Sequence, residues 1–227
     1  SDTLKKQLYA RLLPVIAGGE NVPLPFDFVQ QSFQVACNPY ARHTPKDGEQ
    51  IRKANWERNV GVACALFKGY YARHHDNSQR RNYPMALDKE NRSRDYLYGR
   101  LLAVAEELEN MALRMAKEER ATNAERYMQR FATHPLSTWK QLELSLEPYK
   151  NRLRKNYPVK ITAKFTLENP IGFLKNRETE ITELVNALDE LQQNTDCILD
   201  KPLDGEFLLG YHSQKMAYRN KSNAQSM

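Results

Sequence analysis

The stretch Tyr96-Leu97-Tyr98-Gly99-Arg100-Leu101-Leu102-Ala103-Val104-Ala105-Glu106 decides how the rest of the chain is read. Its apolar rhythm continues beyond it: Leu97, Leu101, Val104, Leu108, Met111 and Met115 alternate steps of four and three. That spacing sets all six on one helical stripe, which has to be buried against other helices. Ser93 stands where a side chain can cap the helix. Gly99 lies beside the stripe, where a missing Cβ lets a neighbour approach closely, and Gly210-Tyr211 offers the same later in the chain.

Working outward, helical spacing recurs. Leu4, Leu8, Leu12, Val15 and Ile16 mark a helix stopped by Gly18-Gly19, and Pro23 and Pro25 punctuate the next connection. Phe26, Val29, Phe33 and Ala36 follow on one face, and Asn38 to Gly48 reads as a loop. A third helix is expected over Glu49 to His74, with Ile51, Trp56, Val60, Cys64 and Phe67 facing a core and with Gly61 and Gly69 weakening it. His75 to Pro84 has little to bury and reads as a linker.

After the central stripe, a short helix is expected over Ala121 to Phe131. Another starts at Pro135 and carries Trp139, Leu142, Leu146, Tyr149 and Leu153, with Pro148 set to kink or divide it. Ile181, Leu184, Leu188 and Leu191 mark a long helix; Phe207, Tyr211, Gln214 and Tyr218 mark a last one, introduced by Lys201-Pro202. Only Val159 to Leu167 alternates, as a loop or short hairpin arm. The expected fold is all-α: a helical lobe over residues 1–82, a four- or five-helix bundle over 85–219, and a polar, disordered tail over 220–227.

Composition narrows the class. Of 227 residues, 41% are hydrophobic and 27% charged, ordinary for a globular protein with a real core. No apolar run approaches the ~18–20 residues of a membrane span. Ser1-Asp2-Thr3-Leu4-Lys5-Lys6 lacks a signal-peptide core, and Cys37, Cys64 and Cys197 form no Cys-x-x-Cys pair, so a reducing cytoplasm is the expected compartment. The net charge is +6, and all of the excess lies between residues 40 and 100, with 13 Lys/Arg against seven Asp/Glu. Concentrated positive charge favours a polyanion; a solvated basic face is the alternative.

Catalytic and metal patterns are not found. His74-His75-Asp76 are adjacent residues that do not converge on one ion. Glu106-Glu107, Glu109 and Glu118-Glu119 lack a Glu-x-x-His companion and read as a charged solvent face. No phosphate-cradling loop or nucleophile motif is present, so neither an enzyme, a metal nor a cofactor is expected.

Basic clusters are the stronger signal. Arg73, Arg80, Arg81, Arg92, Arg94 and Arg100 gather around the linker and the bundle's first helix. Lys150, Arg152, Arg154, Lys155, Lys160 and Lys164 form a second group with no carboxylate between Glu147 and Glu168. Such groups hold phosphates by charge-assisted hydrogen bonds and counterion release. Tyr70, Tyr71, Tyr83, Tyr149, Tyr157 and Phe165 are interleaved with them and can stack on bases of a single strand, although Tyr149 lies on an apolar stripe. Arg100 sits beside the central stripe, where pairing with a neighbouring helix competes with phosphate contact.

Three segments in order carry a family resemblance: Leu87-Asp88-Lys89-Glu90-Asn91 with Tyr96 to Glu106; Glu125-Arg126-Tyr127 through Thr133-His134-Pro135; and Phe207-Leu208-Leu209-Gly210-Tyr211-His212-Ser213-Gln214-Lys215. Together the chain resembles the C-terminal region of the large subunit of type I-C CRISPR surveillance complexes (Cascade), from about Leu8 and more clearly over Ala63 to Arg219. His212 departs from the aromatic residue that the resemblance leads one to expect.

The resemblance implies a non-catalytic part of an RNA-guided complex, in which base pairing reads sequence and proteins hold backbones. It implies a bundle like a Cascade small subunit, packed along the backbone subunits and holding the target and displaced strands of the R-loop. The flanking-motif role of the large subunit's N-terminal portion is not carried over. Implied partners are the guide RNA–protein complex, target DNA and the system's helicase-nuclease, with no membrane. Met85 is a candidate internal start for a separate bundle, and Met111 would cut through a helix. A rival reading is an all-α protein–protein adaptor whose basic face docks an acidic partner.

Overall fold

A computed structural model of the chain describes residues 26–40, 48–74, 86–163, 165–194 and 200–224. Eight helices lie among them: α1 (Phe26–Ala36), α2 (Glu49–His74), α3 (Arg94–Ala116), α4 (Asn123–Thr133), α5 (Pro135–Ser145), α6 (Glu147–Leu153), α7 (Pro170–Asn194) and α8 (Gly205–Ala224). The fold is all-α, and its small exception is an antiparallel hairpin, β1 (Val159–Lys160) with β2 (Thr166–Leu167). The helix expected at Leu4 to Ile16 and the whole linker expected over His75 to Pro84 lie outside the described residues.

Helix α3 is the axis of the molecule. Leu97, Leu101, Val104 and Leu108 are wholly buried, and so are Leu102, Ala103, Ala105 and Ala112 on its other sides. A helix with apolar residues buried on more than one side must be packed by several neighbours; α4, α6, α7 and α8 pack against it. Lys117 ends it in the left-handed conformation (φ 55°), and the Glu118 N–H donates to the Leu113 carbonyl at 3.0 Å. Ser93 occupies the capping position, but its side chain makes no capping bond. Its amide N–H instead donates to Asn91 Oδ1 at 2.9 Å.

Helix α8 crosses α3 where Gly99 and Gly210 remove two side chains. A Cβ on Gly99 would lie 2.7 Å from the Tyr211 nitrogen and closer still to the Phe207 carbonyl oxygen. A Cβ on Gly210 would lie 2.9 Å from the Tyr96 carbonyl carbon. The two backbones therefore touch, as those glycines predict.

Pro148 divides α5 from α6 without turning the chain away. Leu146 between them keeps helical angles (φ −76°, ψ −22°). Trp139, Leu142, Leu146, Tyr149 and Leu153 consequently stay on one buried face. At the last helix, α8 runs on to Ala224, into the stretch that reads as a polar tail.

Helix α2 is continuous through Gly61 and Gly69. Trp56, Val60, Cys64 and Phe67 face inward as expected, but Ile51 is 55% exposed and Arg52 takes the inward position instead. The Trp56 indole N–H donates to the Ala36 carbonyl at 2.7 Å, and its ring lies 5.9 Å from that of Tyr211. One hydrophobic core therefore runs from Val29 and Ala36 through Trp56 into α3 and α8.

Candidate nucleic-acid interface

The first basic group is only partly available. Arg80 and Arg81 lie outside the described residues, as does the side chain of Arg73 in the last turn of α2. Arg94 is spent on structure: its Nε and Nη2 lie 2.6 and 2.5 Å from Asp95 Oδ1, and Nη2 donates to the Pro202 carbonyl at 3.0 Å. Arg100 Nε donates to Gln214 Oε1 at 3.1 Å, and burial lowers its pKa. It ties α3 to α8, pairing with an amide rather than a carboxylate. Arg92 is exposed ahead of α3.

The second group looks unneutralised along the sequence and is not so in space. Lys150 lies 3.5 Å from Glu178 of α7. Arg152 lies 2.8 Å from Glu118 beyond the end of α3, and Arg154 lies 2.9 Å from Glu147. These carboxylates come from outside the acid-free stretch or from its boundary. Exposed pairs of this kind are worth about 0–1 kcal/mol, so a phosphate can replace the carboxylate.

Lys155 and Lys160 have no ion pair among the described residues, and Lys164 lies outside them. The β1–β2 hairpin follows directly. Val159 pairs with Leu167 and Lys160 with Thr166, while the Ile161 and Thr162 N–H groups both donate to the Phe165 carbonyl at 3.0 Å. Leu167 is buried and anchors one arm. Tyr157 (55% exposed) and Phe165 (40%) face solvent, whereas Tyr149 is buried beneath the Arg120 guanidinium, 5.6 Å from its ring.

The polar centre of the molecule is elsewhere and is buried. Glu106 and Glu125, each 1% exposed, come from α3 and α4. Glu106 takes Lys215 at 2.7 Å and Lys53 at 3.6 Å, and accepts the Tyr211 hydroxyl. Glu125 takes Arg52 at 2.5 Å and Lys53 at 2.7 Å. Burial alone would push the Glu106 carboxyl up; Lys215 and Lys53 outweigh it and hold it at about 2.

Glu109 is the opposite case. Burial pushes its carboxyl up to about 7, although it accepts the Ala124 N–H at 2.8 Å at the start of α4. Glu106 and Glu109 are thus not a solvent face, as their charge suggested. Spacing along the chain gave no signal of this, because the burial of both carboxylates follows from the helices that surround α3.

The three segments that carry the resemblance meet in this core. Tyr98 of α3 sets its edge on Phe131 of α4 (5.7 Å, 77°), and Phe131 stacks on Phe207 of α8 (6.0 Å, 15°). Comparison with family models then gives a match over residues 1–219 to the CRISPR-associated protein family Cas_Csd1. The chain belongs to this family. A search of the curated proteins returned no match. In this Cas_Csd1 chain the quoted segments serve packing first: they supply the rings and glycines at which α3, α4 and α8 join. Among the described residues no helix is long and apolar enough to cross a membrane.

Proposed function

We propose that this chain is a non-catalytic part of a type I-C CRISPR RNA-guided surveillance complex. In that reading it is the C-terminal region of the large subunit, with a bundle equivalent to a small subunit. It packs along the backbone subunits and holds target and displaced DNA in the R-loop. The observation that carries this is the Cas_Csd1 match over residues 1–219. The cations on α6 and the hairpin support the contact with DNA: Lys155 and Lys160 have no ion pair among the described residues, Arg152 pairs with the half-buried Glu118, and Arg154 is shared between the exposed Glu147 carboxylate and the Asn151 amide oxygen.

The test is co-purification of the 227-residue chain with type I-C backbone subunits and guide RNA, followed by R-loop formation. Stable incorporation that improves R-loop yield is the expected result. Reversing charge at Arg152, Arg154 and Lys155 should then weaken DNA binding with little loss of helicity. A folded chain that never incorporates would sink the reading. The adaptor reading has its own support, because three cations of this surface already hold carboxylates. Adaptor binding would not follow phosphate number or strand length.

A further inference from the structure

We infer that the connection between α6 and α7, centred on the β1–β2 hairpin, is a stacking platform for single-stranded nucleic acid. Tyr157 and Phe165 hold bases, and Lys155 and Lys160 hold phosphates. The inference rests on the proposed function and names the ligand chemistry of that surface.

Among the described residues most large rings are packed into or against the core. Tyr96, Tyr98, Phe131, Trp139, Tyr149, Phe207 and Tyr211 are all buried. Among the described residues the exposed rings are Tyr40, Tyr157 and Phe165, and Tyr40 is covered by the Arg52 guanidinium at 4.7 Å. Tyr157 and Phe165 have no ring or cation partner among the described residues. Each leaves an apolar face in water, on the 16-residue connection between Leu153 and Pro170.

That connection is held in place. The two-pair register, the Ile161 and Thr162 bonds to Phe165, and buried Leu167 fix the arms. At the base, the Ile171 N–H donates to the Lys155 carbonyl at 3.1 Å. Rings presented by a fixed scaffold lose little freedom on binding. The charge matches the ligand: both lysines without an ion pair lie within five residues of a ring, and the carboxylates that flank them along the chain are Glu147, at the start of α6, and Glu168, at the foot of β2 beyond Leu167. Stacking on any base needs only an open π-face, so recognition is independent of sequence. A duplex keeps its faces stacked internally and offers the rings nothing.

The experiment uses the full chain and a labelled oligothymidylate of about 20 nucleotides, read by fluorescence anisotropy, beside a duplex of equal length. The single strand should bind more tightly than the duplex. Tyr157→Ala and Phe165→Ala should each weaken strand binding about five-fold or more, and Tyr157→Phe should retain it. Lys160→Gln should lower the salt slope by about one phosphate's worth, and the ring variants should leave that slope unchanged. The exposed rings should be removable without changing circular dichroism. The inference is overturned if the full chain does not bind the strand, if the duplex binds equally well, or if the double ring variant binds within about two-fold of the parent. Assembly with the backbone subunits is scored separately. A chain that assembles but shows any of these results loses the platform and keeps its place in the complex.

Discussion

At Gly99 the cost of one methyl group is set by another helix's backbone. The Phe207 carbonyl and the Tyr211 nitrogen cannot swing aside as a flexible side chain would. Gly99→Ala should destabilise by about 3 kcal/mol, the upper end of ordinary overpacking, as read by urea denaturation. Gly69 is the control, since a Cβ there meets nothing within 4 Å. Gly69→Ala should stabilise by about 0.5–1 kcal/mol through helix propensity. Both glycines look alike as letters. The position of Gly99 beside a long apolar stripe already singled it out, because a stripe of that length needs a close neighbour. Glu109 was not legible in this way. Its carboxyl is raised to about 7 from an ordinary 4.5, so the folded state binds the extra proton between those values. Stability from this group is therefore greatest below about pH 4.5 and is lost as pH rises through 7. Glu109→Gln should raise the unfolding free energy relative to the parent at pH 8 by up to about 3 kcal/mol, read as a higher thermal midpoint. The difference should shrink toward pH 5; a constant difference across that range would show that Glu109 does not titrate there.

At the scale of elements, α2 is fastened to the bundle by charge as well as by Trp56. Arg52 and Lys53 neutralise Glu125, and Lys53 and Lys215 share Glu106. Removing one partner of a buried pair leaves a charge in a poor solvent, whereas removing both does not. Arg52→Met leaves Glu125 with Lys53 alone and should therefore cost about 1–3 kcal/mol, and Arg52→Met with Glu125→Met should recover part of it. An equal loss in single and double variants would mean the pair is not coupled. Most helix limits were legible from apolar spacing, proline and glycine, because those act within a turn or two. Pro148 shows the limit of such reading. It divides the helix as its missing N–H requires, but only the packing of Leu146 and Tyr149 keeps both pieces in line. Ile51 failed for a related reason: Arg52 has a buried carboxylate to reach, and that turns the first turn of α2 away from Ile51.

For the whole molecule, the described helices of the N-terminal lobe and the bundle share one core. A product beginning at Met85 would leave Glu125 without Arg52 and Lys53 and would uncover Tyr211 where Trp56 lies. Residues 85–227 alone should melt well below the full chain. Glu125→Gln should raise the midpoint of that fragment and lower the midpoint of the full chain. A fragment as stable as the full chain would show that the bundle does not depend on α2. The sequence by itself determined the all-α class, the order of the helices and most of the faces they bury, since periodicity and helix breakers are local properties. Only the tertiary structure decided which charges are buried, neutralised or left for a partner. Arg52 and Glu125 are 73 residues apart, and Lys215 and Glu106 are 109 apart. A charge is neutralised by what is near it in space, and no spacing along the chain records that.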